Sequence, residues 1–276
     1  MPAGEDEMTA EHDTQRESGA EPAHLDRLRA VRAELLHLEE LLCQGGHPVS
    51  HAVSGTAERV PAWLRVTKGE QRWAVTAAIA LAVTLQLVLP DRLAFRPHWL
   101  LPALELGLVA VLIGLNPVRI SRRHPWLRPL STALIALISL ANGWSAALLV
   151  LDLLTARAGE EPAPLLGSGG AIWLTNVIAF ALWYWEWDRG GPVSRSRGDR
   201  VRPDFRFPQM EDPDGHPDWE PHFLDYFYLS FTNATAFSPT DVMPMSRWAK
   251  MLMLSQSAIS LVTLAVVISR AVSLFK

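Results

Sequence analysis

The sequence predicts an all-α integral membrane protein with about five transmembrane helices, one re-entrant helix and a cytoplasmic N-terminal helix. Three observations lead there. The chain of 276 residues is 49% hydrophobic, with a mean hydropathy of +0.11, yet its apolar residues fall into blocks near bilayer-crossing length. Arg- and Pro-rich connections separate the blocks. One block closes on Trp183-Tyr184-Trp185-Glu186-Trp187, the aromatic belt of a headgroup interface. Inside lipid a single segment satisfies its own backbone polar groups only as a helix.

Residues 1–22 are polar and acidic, the composition of a disordered tail. The stretch lacks the apolar core of a secretory signal, so insertion is expected to rely on later segments. Over 23–45, Leu28, Val31, Leu35, Leu38 and Leu42 recur at alternating steps of three and four, with Arg27, Arg32, Glu34 and Glu39 on other faces. That seam fits an amphipathic helix lying on the membrane or on its own domain, or a short coiled coil between subunits. Gly45-Gly46 and Pro48 end it, and a linker, 46–72, follows.

Region 73–187 is expected to be a transmembrane unit of four helices. Trp73 to Leu89 carries only Gln86 as a strongly polar group, and Trp99 to Leu115 carries Glu105 near its middle. Leu127 to Leu154 holds Ser139, Asn142 and Trp144, and Ala171 to Trp187 ends in the aromatic belt. Residues 188–221 read as a polar linker rich in Pro, Arg and Asp. Within it, Asp212, Asp214 and Asp218 stand beside Gly215 and His216, but their spacing matches no EF-hand and reads as a solvated turn. Region 222–276 contains a short aromatic helix and a final span from Arg247 to Val272.

The short helix carries Phe223, Tyr226, Phe227, Tyr228 and Phe231, then Asn233, Thr235, Ala236, Phe237, Ser238, Pro239, Thr240 and Asp241, with Pro244, Ser246, Ala249 and Lys250 beyond. This order of aromatic helix, small polar residues, Asp, Pro and long apolar helix resembles the pore-loop region of two-transmembrane potassium channels. Tyr228, Ser230, Phe231, Thr232, Thr235, Asp241, Pro244, Ser246 and Ala249 match that pattern, and Lys250 replaces an Arg. The same segment is similar to bacterial membrane proteins of unassigned function.

The resemblance implies a pore-loop scaffold over about the last fifty residues, tetrameric if it conducts. It does not imply a potassium filter. Ala236-Phe237-Ser238-Pro239-Thr240 stand where the glycine-dependent carbonyl ladder would be, and Pro239 fixes its own φ while restricting Ser238. Any selectivity for cations is expected to be weak. An ion would meet Asn233 to Asp241, where hydroxyl and amide oxygens gather near helix carbonyls of partial negative charge. The alternative is an interfacial helix with aromatic anchors, stopped by Ser-Pro and capped into the next helix.

In the last span Gln256, Ser260 and Thr263 share a helical face with Val267 and Arg270. Such a face suits a water-filled vestibule, or close packing and hydrogen bonding against a neighbouring helix, the commoner use. Glu105 is an ionisable group within a span, so it must pair, face water or stay neutral. Asn142, Gln86 and Arg270 are its possible partners, as a proton or cation site or as a bonded neutral carboxyl.

Charge bias orients the chain. Arg119, Arg122, Arg123 and Arg128 follow the second span, and Arg189, Arg195, Arg197, Arg200, Arg202 and Arg206 follow the fourth, so both connections are expected in the cytoplasm with the N-terminus. The 155–170 connection, with Arg157 against Glu160 and Glu161, suits the outside. This parity puts the short helix on the cytoplasmic side, opposite to potassium channels. An inverted pore as in glutamate-receptor channels resolves the conflict, and so does a sixth crossing by His222 to Phe237.

The remaining composition is exclusionary. A net charge of -4 leaves no nucleic-acid footprint, and the single Cys43 allows no internal disulfide. No thiol or histidine cluster has metal-ligand spacing, no cofactor motif is present, and no nucleophile–base arrangement points to an enzyme. Asn233-Ala234-Thr235 matches a glycosylation sequon by coincidence, inside a membrane segment. The expected function is a homo-oligomeric, pore-loop-type cation channel or channel relative in the cell membrane, with the lipid bilayer as its other partner. The alternatives are a non-conducting membrane scaffold or sensor and a proton-coupled transporter centred on Glu105.

Overall fold

The computed structural model describes residues 61–115, 126–155, 162–199, 202–235 and 241–274. The acidic tail, the heptad helix over 23–45, the Arg119–Arg123 cluster and the Ala236–Thr240 tip lie outside the described residues. Within them the chain is mostly helical. The elements are α1 (Trp73–Val88), α2 (Leu100–Leu115), α3 (Leu127–Leu154), α4 (Pro162–Trp187), a short α5 (Pro192–Ser196), α6 (Phe223–Thr235) and α7 (Arg247–Leu274). Two-residue strands β1 (Phe205–Arg206) and β2 (Met243–Pro244) pair antiparallel, Phe205 opposite Pro244 and Arg206 opposite Met243.

Three helices are long and apolar enough to cross a membrane, over Leu127–Leu154, Ala163–Gly190 and Arg247–Ser273. Helices α1 and α2 are apolar but have 16 residues each, roughly 24 Å of rise against a hydrocarbon core of about 30 Å. Prolines bound them. Leu89 after α1 is extended, with ψ 142, as a residue preceding proline prefers, and Pro90 and Pro97 lie in the connection to α2.

Helix α4 starts well before Ala171, because Pro162 suits a first helical position, and of the glycines that follow it Gly169 faces a close neighbour. A Cβ on Gly169 would lie 2.8 Å from both γ-methyls of Val267 on α7. Small residues at such a crossing let helix backbones approach. Helix α4 is the hub: it packs against α1, α3, α6 and α7. Its apolar window is 67% buried against 28% for α7, so α7 turns Leu254, Leu261, Val262 and Ile268 outward.

The connection from α4 to α6 is folded and not merely solvated. Phe205, Phe207 and Met210 enter the main core with Tyr184, Trp185, Phe223 and Tyr226. Phe205 is fully buried, with its ring 5.0 Å from Tyr184 and 5.6 Å from Trp248, between centroids. Aromatic contacts of this kind contribute about 0.5–1.5 kcal/mol each beyond their burial. The Asp212–Asp218 stretch stays at the surface, where Asp212 Oδ1 accepts the Gly215 N–H at 3.1 Å and Asp218 pairs with Arg65 at 2.6 Å.

Candidate functional site

Helix α6 is wedged between α4 and α7. Its start is fixed by Asp225, whose Oδ2 accepts the His222 N–H at 2.8 Å, satisfying a donor left open at a helix N-terminus. Burial raises the Asp225 pKa, while the bond from His222 lowers it. Glu70 secures the next residue, for its Oε1 accepts the Phe223 N–H at 2.5 Å and its Oε2 accepts Trp185 Nε1 at 2.6 Å.

The polar residues singled out in the last two helices meet one another in the interior. Asn233 Nδ2 donates to Gln256 Oε1 at 2.8 Å and to the Met253 carbonyl at 3.0 Å. Tyr184 Oη donates to the same Gln256 oxygen at 2.6 Å. Gln256 Nε2 returns bonds to the Ser230 carbonyl at 2.9 Å and Oγ at 2.7 Å, and Ser230 Oγ donates to the Val177 carbonyl at 2.6 Å. One turn along α7, Ser260 Oγ accepts Asn176 Nδ2 at 3.0 Å. Thr263 bonds back to Ile259 of its own helix at 2.8 Å. Gln256, Ser260 and Thr263 are 0%, 1% and 3% exposed. Within one chain the Gln256, Ser260 and Thr263 face of α7 is turned into the interior.

Two carbonyls near the end of α6 are likewise committed. Carbonyls near a helix C-terminus are the groups a cation would use. Here the Thr232 carbonyl accepts Thr235 Oγ1 at 2.9 Å and the Asn233 carbonyl accepts Ser257 Oγ at 3.2 Å. Thr235 is half-buried and Asp241 exposed, while Ala236, Phe237, Ser238, Pro239 and Thr240 between them lie outside the described residues. Glu105 is fully buried, with both carboxylate oxygens 3.3 Å from Gln86 Nε2 on α1. Of its three possible partners the fold supplies Gln86.

A second polar cluster, not anticipated from sequence, closes the end of α4. Asp188 and Arg189 are 0% and 1% exposed. Asp188 Oδ1 accepts the Asp204 N–H at 2.9 Å and the Phe205 N–H at 3.3 Å, and its Oδ2 accepts Tyr226 Oη at 2.6 Å. Arg189 has a φ of 51°, a left-handed geometry uncommon outside glycine. In it the Arg189 N–H reaches Asp204 Oδ2 at 3.0 Å, and Nη1 reaches the Trp63 carbonyl at 2.6 Å. Asp204 Oδ1 accepts Trp248 Nε1 at 3.0 Å, tying the linker to α7. Arg195 Nη1 covers the Trp185 and Asp188 carbonyls at 2.6 and 3.0 Å.

The reversal depends on Gly191, at φ 97°, where a Cβ would stand 2.9 Å from the Glu186 carbonyl oxygen. No side chain fits there without shifting backbone. The legible signal was Asp188-Arg189-Gly190-Gly191-Pro192 directly after the aromatic run: a charged pair and a glycine turn at the end of a long apolar helix.

Among the described residues no group of three or more His, Cys, Asp or Glu side chains is arranged to hold a metal ion. No family model, curated protein or solved structure matches the chain significantly.

Proposed function

We propose that the chain is a non-conducting, multi-pass membrane scaffold or sensor built on a pore-loop layout, with α6 as a re-entrant packing element. One observation carries this reading. The side-chain oxygens and amides of Gln256 and Ser260 are spent on bonds within one chain and lie out of water, and half-buried Asn233 is bonded to the same Gln256. A buried polar network with its donors and acceptors matched rigidifies a structure and has no spare ligands to offer. In this reading α1 and α2 also cross, with local thinning of the bilayer offsetting their shortness. The arginines after the second and fourth helices put those connections and the N-terminus in the cytoplasm of a cell-membrane protein.

A second reading, a weakly selective cation channel formed by several copies, is favoured by the wedge of α6 between two long helices and by exposed Asp241 at its far edge. Cation flux into liposomes holding the purified protein separates the two. The scaffold gives no flux above that of empty vesicles. A flux that Thr240→Ala or Asp241→Asn alters overturns it, and fourfold symmetry in lipid would then give the stoichiometry.

A further inference from the structure

A cleft of about 550 Å³ opens beside the start of α7, lined by Trp63, Arg202, Asp204, Arg206, Met245 and Ser246 among others. Its position relative to the spans is fixed by covalent neighbours: Met245 and Ser246 directly precede α7, and Asp204 holds Trp248 on its first turn. The cleft therefore lies where a membrane-crossing helix leaves the hydrocarbon, on the side carrying the linker arginines.

Its chemistry is mixed in a specific way. Arg202 is exposed and makes no ion pair or hydrogen bond among the described residues. Arg206 is half-exposed and shares its charge with Glu211 at 3.3 Å. Trp63 lines the cleft as well, with its indole nitrogen buried away from it. Asp204, the acidic member, is held in place by the Arg189 N–H and Trp248 Nε1, one on each oxygen. Met245 and Met210 supply an apolar wall. Guanidinium groups bind phosphate oxygens in a planar fork.

We infer that this cleft binds a phosphate-bearing anion through Arg202 and Arg206. The same chemistry has two sources, the headgroup of an anionic lipid and a free phosphate compound. Anionic lipids are concentrated in the cytoplasmic leaflet, where basic juxtamembrane residues meet them, and the methionine wall is suited to the first carbons of an acyl chain. The inference does not depend on whether the chain conducts.

The test is co-purified and exchanged lipid, measured by mass spectrometry on the full chain in detergent micelles doped with phosphatidylglycerol and phosphatidylcholine. Phosphatidylglycerol should be retained preferentially, and the surface variant Arg202→Gln/Arg206→Gln should lower that preference by roughly tenfold, the order expected for charge-assisted contacts. Competition by millimolar inorganic phosphate identifies the free anion as the source, and resistance to it identifies the lipid. Equal retention of the two lipids together with no bound phosphate, or an undiminished preference in the folded double variant, overturns the site.

Discussion

Tyr226 donates its hydroxyl to Asp188 Oδ2 at 2.6 Å, joining the first turn of α6 to the turn that ends α4. Both residues are 0% exposed. The phenol is the shortest donor to that oxygen, since Arg189 Nε stands 3.7 Å away.

Tyr226→Phe should therefore destabilise the protein by about 1–3 kcal/mol, the cost of leaving one buried charged acceptor short of a donor. Asp188→Ala should cost more, about 3–5 kcal/mol, because it strands the Tyr226 hydroxyl, two backbone N–H groups and the buried Arg189. Denaturation midpoints in one detergent, followed by tryptophan fluorescence, rank the two. Equal midpoints for Tyr226→Phe and the parent would remove the latch assigned to this pair.

Asn233 and Gln256 are expected to be energetically coupled. Interhelical hydrogen bonds in membranes average about 0.6 kcal/mol and reach about 1–2 kcal/mol, so a double-mutant cycle with Asn233→Ala and Gln256→Ala should return a coupling in that range. Additive single effects would show that the 2.8 Å contact contributes nothing to holding α6 on α7.

At the crossing of α4 and α7, Gly169→Ala introduces a methyl where Val267 already stands, at 2.8 Å from the new carbon. Overpacking of this kind costs roughly 1–3 kcal/mol. Val267→Ala in the same chain should recover most of the loss. Thermal midpoints of the two single variants and the double variant measure it; a double variant no better than Gly169→Ala would locate the strain elsewhere.

Glu105→Gln should be nearly neutral, within about 1 kcal/mol, because an amide oxygen still accepts from Gln86. Glu105→Leu should lose about 1–3 kcal/mol by leaving that amide without its acceptor. Midpoints compare the variants, and pH-gradient-driven uptake into liposomes provides the functional measure. Uptake present in the parent and abolished by Glu105→Gln would make this carboxyl a transport site.

The helices were legible because their signals are local. Leu127–Leu154 and the start of α7 at Arg247 follow from apolar length and flanking polar residues, and the bounds of α1 follow from Trp73 and Pro90. The common face of Gln256, Ser260 and Thr263 was equally legible from three- and four-residue steps. What that face meets was not, because spacing defines a stripe without saying whether water, lipid or Asn176 lies opposite. The cluster around Asp188 was hidden for a related reason. Its members are charged residues that a linear reading assigns to solvent, and their partners are distant: Arg189 reaches Trp63 across 126 positions, and Glu70 reaches Phe223 across 153. Arginine and aspartate enter a core only when backbone groups and aromatic donors converge on them, and that convergence exists only after folding.

The short antiparallel seam between Phe205–Arg206 and Met243–Pro244 joins the segment leaving α4 to the segment entering α7. Main-chain bonds of this sort are indifferent to the side chains around them. They tie the root of α7 to the segment carrying Arg206, so that a displacement of either end is passed to the other through the main chain.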